Sequence, residues 1–240
     1  MTAERIHTIL LGNTRTFLVP GKDGFLLIDG GHRVWGNWFF RYLAKIGVQP
    51  RQIRLAVITH VHFDHVGTLR AVKNCCGCKV AVHTREADLL ASGKVVIPPG
   101  TLLPGRWVKE MTDRFPRMTC RVCAFDPIMA DLLISEPMDL KEHGFDAHII
   151  PTPGHTVGSL SVLTAAGNAF VGDLAVNMPW LGRQRYCSPF GYSAGEMKAS
   201  MEKLIKEGAR RFYPAHGRLF DAAKWQECRL LAGKPFSHFT

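Results

Sequence analysis

The sequence predicts a mixed α/β domain: two similar halves packed face to face, with helices covering the outside of two sheets. Two observations carry this. Short apolar runs of strand length recur in both halves, and helix-length stretches follow them in each. Composition agrees: 46% hydrophobic and 21% charged residues over 240 positions is a globular balance, which excludes disordered, collagen-like and coiled-coil chains. The length suits a single domain over 1–240, its halves meeting near 125–145.

In the first half, strands are expected at Ile6 to Leu11, Thr16 to Pro20 and Phe25 to Asp29. Gly21-Lys22-Asp23-Gly24 separates the last two and reads as a hairpin turn. Asp29-Gly30-Gly31 stops the third strand, and a helix follows over Val34 to Ile46. Leu55 to Thr59 is a short, continuously apolar run, as a strand buried on both faces requires. Then come a helix over Asp64 to Asn74, a strand over Lys79 to His83, and helices over Thr84 to Ala91 and Gly105 to Phe115. The Pro- and Gly-containing stretch from Ile97 to Gly105 marks a long excursion or lid. In the second half, strands are expected at Ala147 to Ile150, Leu160 to Leu163, Ala169 to Gly172 and Arg211 to Tyr213, and helices at Ala194 to Lys206 and Asp221 to Leu231.

The chain carries 30 Lys and Arg against 20 Asp and Glu, a formal charge of +10. The basic residues are scattered, so a basic surface is expected rather than a nucleic-acid site. No apolar run reaches the roughly 18 residues of a membrane span, so no membrane partner is expected. The N-terminal segment has an early acid and only a short apolar stretch, which predicts a cytoplasmic protein. Seven cysteines, an odd number, suggest reduced thiols. Cys75, Cys76, Cys78, Cys120 and Cys123 lack the repeated spacing of a zinc ribbon and are expected as free thiols. Trp35, Trp38, Phe39 and Phe40 share a helix, where core packing or a homodimer contact is expected.

The informative segment is Thr59-His60-Val61-His62-Phe63-Asp64-His65. On a strand, His60 and His62 would face one side; a turn after them would aim Asp64 and His65 at a neighbouring point. Imidazoles plus a carboxylate suit zinc, iron or manganese. Burying so many titratable groups without a metal would cost several kcal/mol. His155, Asp173 and His216 each follow an expected strand. Alone, each is a structural strand-end residue; together with the cluster they make seven donors, too many for one tetrahedral ion and suited to two ions sharing a carboxylate.

These residues, in this order, resemble the metallo-β-lactamase-fold superfamily from about Ile6 to Gly217. The resemblance implies a four-layer αβ/βα sandwich with a dinuclear centre at one edge between the sheets. It implies that His60, His62 and His155 hold the first ion, that Asp64, His65 and His216 hold the second, and that Asp173 bridges them. It also implies a nucleophilic water or hydroxide between two divalent ions, zinc by default and iron or manganese otherwise. Asp64 would be the catalytic residue that orients this nucleophile and passes on its proton. Asp29 resembles a residue that supports the cluster loop; it also reads simply as a strand-terminating turn aspartate.

The segment Thr152 to Leu160 is similar to compact glyoxalase-II-like and lactonase-like hydrolases. The expected activity is therefore hydrolysis of a small thioester, lactone or related ester. Three rivals stand beside it: a persulfide-dioxygenase-like enzyme with one iron on His60, His155 and Asp173, a metal-dependent phosphodiesterase or nuclease, and, more remotely, a non-catalytic metal-binding interaction protein. His62 occupies a position where oxygen-reducing diiron relatives usually carry glutamate, which argues against that branch. The loop from Leu174 to Tyr186 directly follows Asp173. Its Asn177, Arg183 and Arg185 are candidate substrate contacts, the arginines for a carboxylate or phosphate; both arginines also read as solvated surface charges.

Overall fold

The computed structural model of the chain describes residues 5–231, without the side chains of 183, 184 and 228–231. Its first sheet begins with antiparallel strands β1 (His7–Leu11), β2 (Thr14–Pro20) and β3 (Phe25–Ile28). The Gly21 to Gly24 turn joins the last two, closed by a 2.8 Å bond from the Gly21 N–H to the Gly24 carbonyl. Strands β4 (Ile53–Val57), β5 (Lys79–His83) and β6 (Leu132–Ile134) add in parallel. Parallel neighbours need crossovers, and helices supply them. Helix α1 (Gly36–Lys45) joins β3 to β4, α2 (Phe63–Val66) and α3 (Leu69–Cys76) join β4 to β5, and α4 (Ala87–Ser92), α5 (Leu103–Arg114) and α6 (Pro116–Val122) lie between β5 and β6.

The second sheet runs β12-β11-β10-β9-β8-β7. Its strands are β7 (Met138–Asp139), β8 (Ala147–Pro151), β9 (Leu160–Thr164), β10 (Asn168–Gly172), β11 (Arg211–Pro214) and β12 (Phe220–Asp221). Helix α7 (Ala194–Lys206) makes the crossover between the parallel pair β10 and β11, and α8 (Ala222–Leu231) follows β12.

Three apolar clusters bind the layers. Phe39, Leu43, Leu69 and Val72 pack α1 and α3 on the outer face of the first sheet. Phe17, Ile28, Val57, Val162, Phe170 and Tyr213 fill the space between the sheets. Met197, Met201, Leu204, Phe212 and Trp225 seat α7 and α8 on the second. The result is the helix-sheet-sheet-helix order expected from the alternating strand and helix runs.

Several elements differ from expectation for definable reasons. One helix over Asp64 to Asn74 is two, because the Gly67 N–H bonds the Gly31 carbonyl (2.8 Å) and packs its Cα against the backbone of 31–33, where a side chain would collide. His60 and His62 lie beyond β4, in the loop 58–62, not on the strand. Strands β6, β7 and β12, at two or three residues, are too short to show a period. The excursion extends well past Gly105 and carries both α5 and α6. Cys75, Cys76, Cys78, Cys120 and Cys123 are free thiols, as expected. Trp35 precedes α1 instead of sharing the helix, and it and Trp38 are exposed, while Phe39 is fully buried.

Candidate metal centre

Most of the candidate ligands arrive from the carboxyl end of a strand, while Asp64 and His65 lie on α2 just beyond the loop 58–62. Asp29 follows β3, the loop 58–62 follows β4, His155 lies between β8 and β9, Asp173 follows β10 and His216 follows β11. These ends meet at one edge between the sheets, where strand termini free the chain for irregular, site-building turns. Gly172 has a positive φ of 51°, and a side chain there would collide with the Thr59 hydroxyl, so the two sheets meet through this contact.

The structure brings all seven expected donors together. Their ligand atoms form three overlapping groups, each within 4.8 Å: His60, His62 and His155; Asp64, His65 and His216; and His60, His65 and Asp173. All are buried except Asp64, which is half-buried. The His62 Nδ1 lies 3.1 Å from the His155 Nε2, and the His60 ring centroid is 4.4 Å and 4.5 Å from those two rings. Asp173 stands between the groups. Its Oδ1 is 3.4 Å from the Nε2 of both His65 and His216, while its Oδ2 is 3.8 Å from the His155 Nε2.

Outer hydrogen bonds choose which nitrogen of each ring faces inward. The His155 Nδ1 donates to the Phe190 carbonyl (3.0 Å) and the His216 Nδ1 to the Asn13 carbonyl (3.1 Å). The His65 Nδ1 donates to the Asp29 Oδ2 (2.8 Å). Each turns its Nε2 toward the pocket. Asp29 also accepts the Thr59 backbone N–H (2.8 Å) and the Thr59 hydroxyl (2.8 Å), and that hydroxyl lies 3.1 Å from the His60 Nδ1. The aspartate therefore braces the start of the cluster loop and one of its imidazoles together. It does so from a backbone φ of +61°, uncommon for a residue with a side chain.

Charge divides the pocket. Burial pushes His60 far below the usual imidazole range, lowers His62 to about 3 and lowers His155. Burial acts on His65 and His216 in the same sense, but neighbouring carboxylates overcome it. Asp29, Asp173 and Asp64 raise His65 well above its ordinary value, and Asp173 and Asp64 raise His216 to about 10. In turn, those imidazoles hold Asp64 and Asp173 below the usual carboxylate range against burial.

A divalent cation fits this donor set. Among the described residues, His60 Nε2, His65 Nε2 and Asp173 Oδ1 are buried without a hydrogen-bond partner, and these three residues form one of the close groups. Each unmet buried polar atom costs about 1–3 kcal/mol. A cation in their midst would satisfy them together.

The expected substrate contacts lie on the loop after Asp173. Asn177 is buried, and its side chain ties its loop to the segment after His216: the amide donates to the Arg218 carbonyl (2.8 Å) and its oxygen accepts from the Arg185 Nε (2.5 Å). Arg185 also lies 5.5 Å over the Tyr186 ring. The Arg183 side chain falls outside the described residues. The Asn177 N–H bonds the His216 carbonyl (2.9 Å), so the loop does run beside a candidate ligand.

Three further residues belong to the site. Thr59 couples Asp29 to His60, and its position directly before His60 was the available signal. The Thr14 hydroxyl donates to the Asp64 Oδ2 (3.0 Å). Glu86 is buried, accepts the Val61 N–H between His60 and His62 (2.9 Å), and lies directly against Gly158 on the loop that carries His155. Thr14 and Glu86 are distant in sequence and carry no local pattern.

Residues 10–216 match the metallo-beta-lactamase superfamily, and the chain belongs to it. The chain is similar to a probable metallo-hydrolase of Methanocaldococcus jannaschii, 24% identical over 232 residues, which cover 91% of this chain and 94% of that protein. It is 28% identical over 216 residues to an acyl-coenzyme A thioesterase of Gallus gallus, covering 87% of this chain and 74% of the relative. Among solved structures, an archaeal metallo-beta-lactamase superfamily protein from Sulfolobus tokodaii shares the fold with a TM-score of 0.64 and 20% identity, over 99% of this chain and 90% of that one.

Proposed function

We propose that this chain, a metal-dependent hydrolase, holds two divalent ions, zinc by default, and cleaves a small acyl substrate, foremost a thioester. The observation that carries the reading is the Asp173 carboxylate, one oxygen toward the His65 and His216 nitrogens and the other toward His155. His60, His62 and His155 would hold one ion, Asp64, His65 and His216 the other, and Asp173 both. When bound, the ions supply Lewis acidity, which polarises an acyl carbonyl and makes water a nucleophile near neutral pH.

The chain's own groups do the rest. Asp29 and the Phe190 and Asn13 carbonyls fix the tautomers, so that Nε2 of His65, His155 and His216 would be the atom that holds a cation. Asp64 is ionised and half-buried, with its Oδ2 held by Thr14, and is the carboxylate suited to take a proton from the attacking water and return it to the leaving group. The likeness to an acyl-coenzyme A thioesterase supports the thioester class.

The test is metal analysis of the native protein, followed by turnover of thioesters, lactones and phosphodiesters. Two ions per chain with thioester turnover supports the reading. One iron per chain with oxygen consumption favours the dioxygenase-like reading, and phosphodiester turnover alone favours the nuclease-like one.

A further inference from the structure

The excursion between β5 and β6 builds a feature that the hydrolytic site does not use. On α5, Leu103, Trp107 and Met111 recur every four residues, the spacing that lines up one helical face; Phe115 stands at the break between the helices, and Met118 and Val122 follow four apart on α6. All six are exposed, Leu103 by 78%, Trp107 by 66% and Met118 by 61%. The only buried residue of α5 is Gly105, and α6 has none. Six large apolar side chains left in water along one excursion are unusual and mark a contact surface.

The same two helices carry Arg106, Lys109, Arg114, Arg117 and Arg121 against Glu110 and Asp113. Lys109 and Asp113 pair with each other at 2.5 Å. Arg114, Arg117 and Arg121 outnumber the remaining Glu110, on a chain already at +10. A second copy placed on this face would bring two basic hairpins together, and a convex helical face cannot enclose a small ligand. An anionic lipid surface satisfies both halves of the pattern, taking the apolar side chains below the headgroups and pairing the arginines with them. Among the described residues no helix is long and apolar enough to cross a membrane, so such contact would be with its surface.

The hairpin is fastened at both ends beside the metal centre. The Thr101 N–H bonds the Pro189 carbonyl (2.9 Å), next to the Phe190 carbonyl that receives His155. The Val122 carbonyl accepts from the His32 Nε2 (3.2 Å), and the His32 ring stands edge-on to Phe63, the neighbour of Asp64. We infer that the α5–α6 hairpin is an interfacial anchor that docks the enzyme on an anionic membrane surface with its metal centre close to the bilayer.

Co-flotation with vesicles tests this, using phosphatidylcholine alone and phosphatidylcholine mixed with phosphatidylserine. The wild-type protein should float with the phosphatidylserine vesicles, and less so as salt rises. Trp107→Ser/Met118→Ser and Arg117→Glu/Arg121→Glu should each weaken binding roughly tenfold or more. All four positions are exposed, so unchanged melting and metal content will show that the variants fold. Three results would overturn the inference: no flotation with either vesicle, equal flotation with both, or undiminished flotation of both variants. So would sedimentation showing a dimer that Trp107→Ser/Met118→Ser dissolves, without vesicle binding.

Discussion

The two halves of the pocket hold the same kind of side chain at the same depth, yet they titrate in opposite directions. His60, His62 and His155 are pushed down by burial, while His65 and His216 are pushed up in spite of it. The difference is where the carboxylates sit. The Oδ2 of Asp29 is 2.8 Å from the His65 Nδ1, and Asp64 and Asp173 approach the His216 Nε2 to 3.2 Å and 3.4 Å. The first group is a set of neutral imidazoles ready for a cation. The second is a charge-balanced cage in which protons stand where a cation would.

Asp173 belongs to both halves, so its loss should have the largest effect. Asp173→Ala should lower metal content at both groups and cut turnover roughly 10³-fold or more, beyond the ten- to hundredfold typical of losing a supporting group. Metal titration followed by mass spectrometry reads this directly, with circular dichroism to confirm folding. Retention of two ions would show that the halves are independent.

Asp64 belongs to the second group alone. Asp64→Asn keeps the size and an acceptor for the Thr14 hydroxyl but removes the basic carboxylate. Turnover should fall about 10²-fold or more while the first group still takes its ion. Near-normal turnover in a folded Asp64→Asn protein would contradict the proton-transfer role.

The contrast between the halves was only partly legible in the sequence. Strand-length apolar runs and the spacing from His60 to His65 announced the fold and the donors, because both are local signals. His155, Asp173 and His216 were legible because each stands just past a strand. The hydrogen bonds that set the tautomers were not, because the acceptors on Phe190 and Asn13 are backbone carbonyls, which no residue type reveals. His60 and His62 were expected on a strand; they converge because the loop after β4 is braced by Asp29 and Thr59, a tertiary effect. Arg185 read as a substrate contact because its loop directly follows Asp173; the bond from its Nε to Asn177 is a contact that loop composition does not reveal.

Acidity should separate the halves next. In the metal-free protein His216 stays protonated up to about pH 10, and His65 is also raised, so a cation entering the second group at neutral pH must release protons. Affinity there should rise with pH by roughly tenfold per unit for each proton released, until the pH passes the imidazole values. The first group has lowered values, His62 about 3, so its affinity should be nearly flat from about pH 6 to about pH 9. Isothermal calorimetry in buffers of different ionisation heat counts these protons. Equal proton release at both groups would erase the distinction.

Glu86 offers the finest probe of the first group, because it touches no proposed ligand. Its carboxylate accepts the Val61 N–H, which fixes the backbone between His60 and His62, and its side chain lies against Gly158, three residues beyond His155. One buried group thus braces both loops that supply the first group, and neither the loop of Asp173 nor that of His216. Glu86→Gln keeps an acceptor oxygen for Val61 and nearly the same volume, so metal affinity should change little. Glu86→Ala removes the acceptor and leaves a void, so affinity at the first group should fall roughly tenfold, with a smaller effect on the second. A purely structural role would lower the melting temperature of both variants without splitting the two affinities. Rescue by glutamine, read as site-resolved metal affinity, is therefore the deciding measurement, and equal losses at both groups would rule out selective bracing of the first.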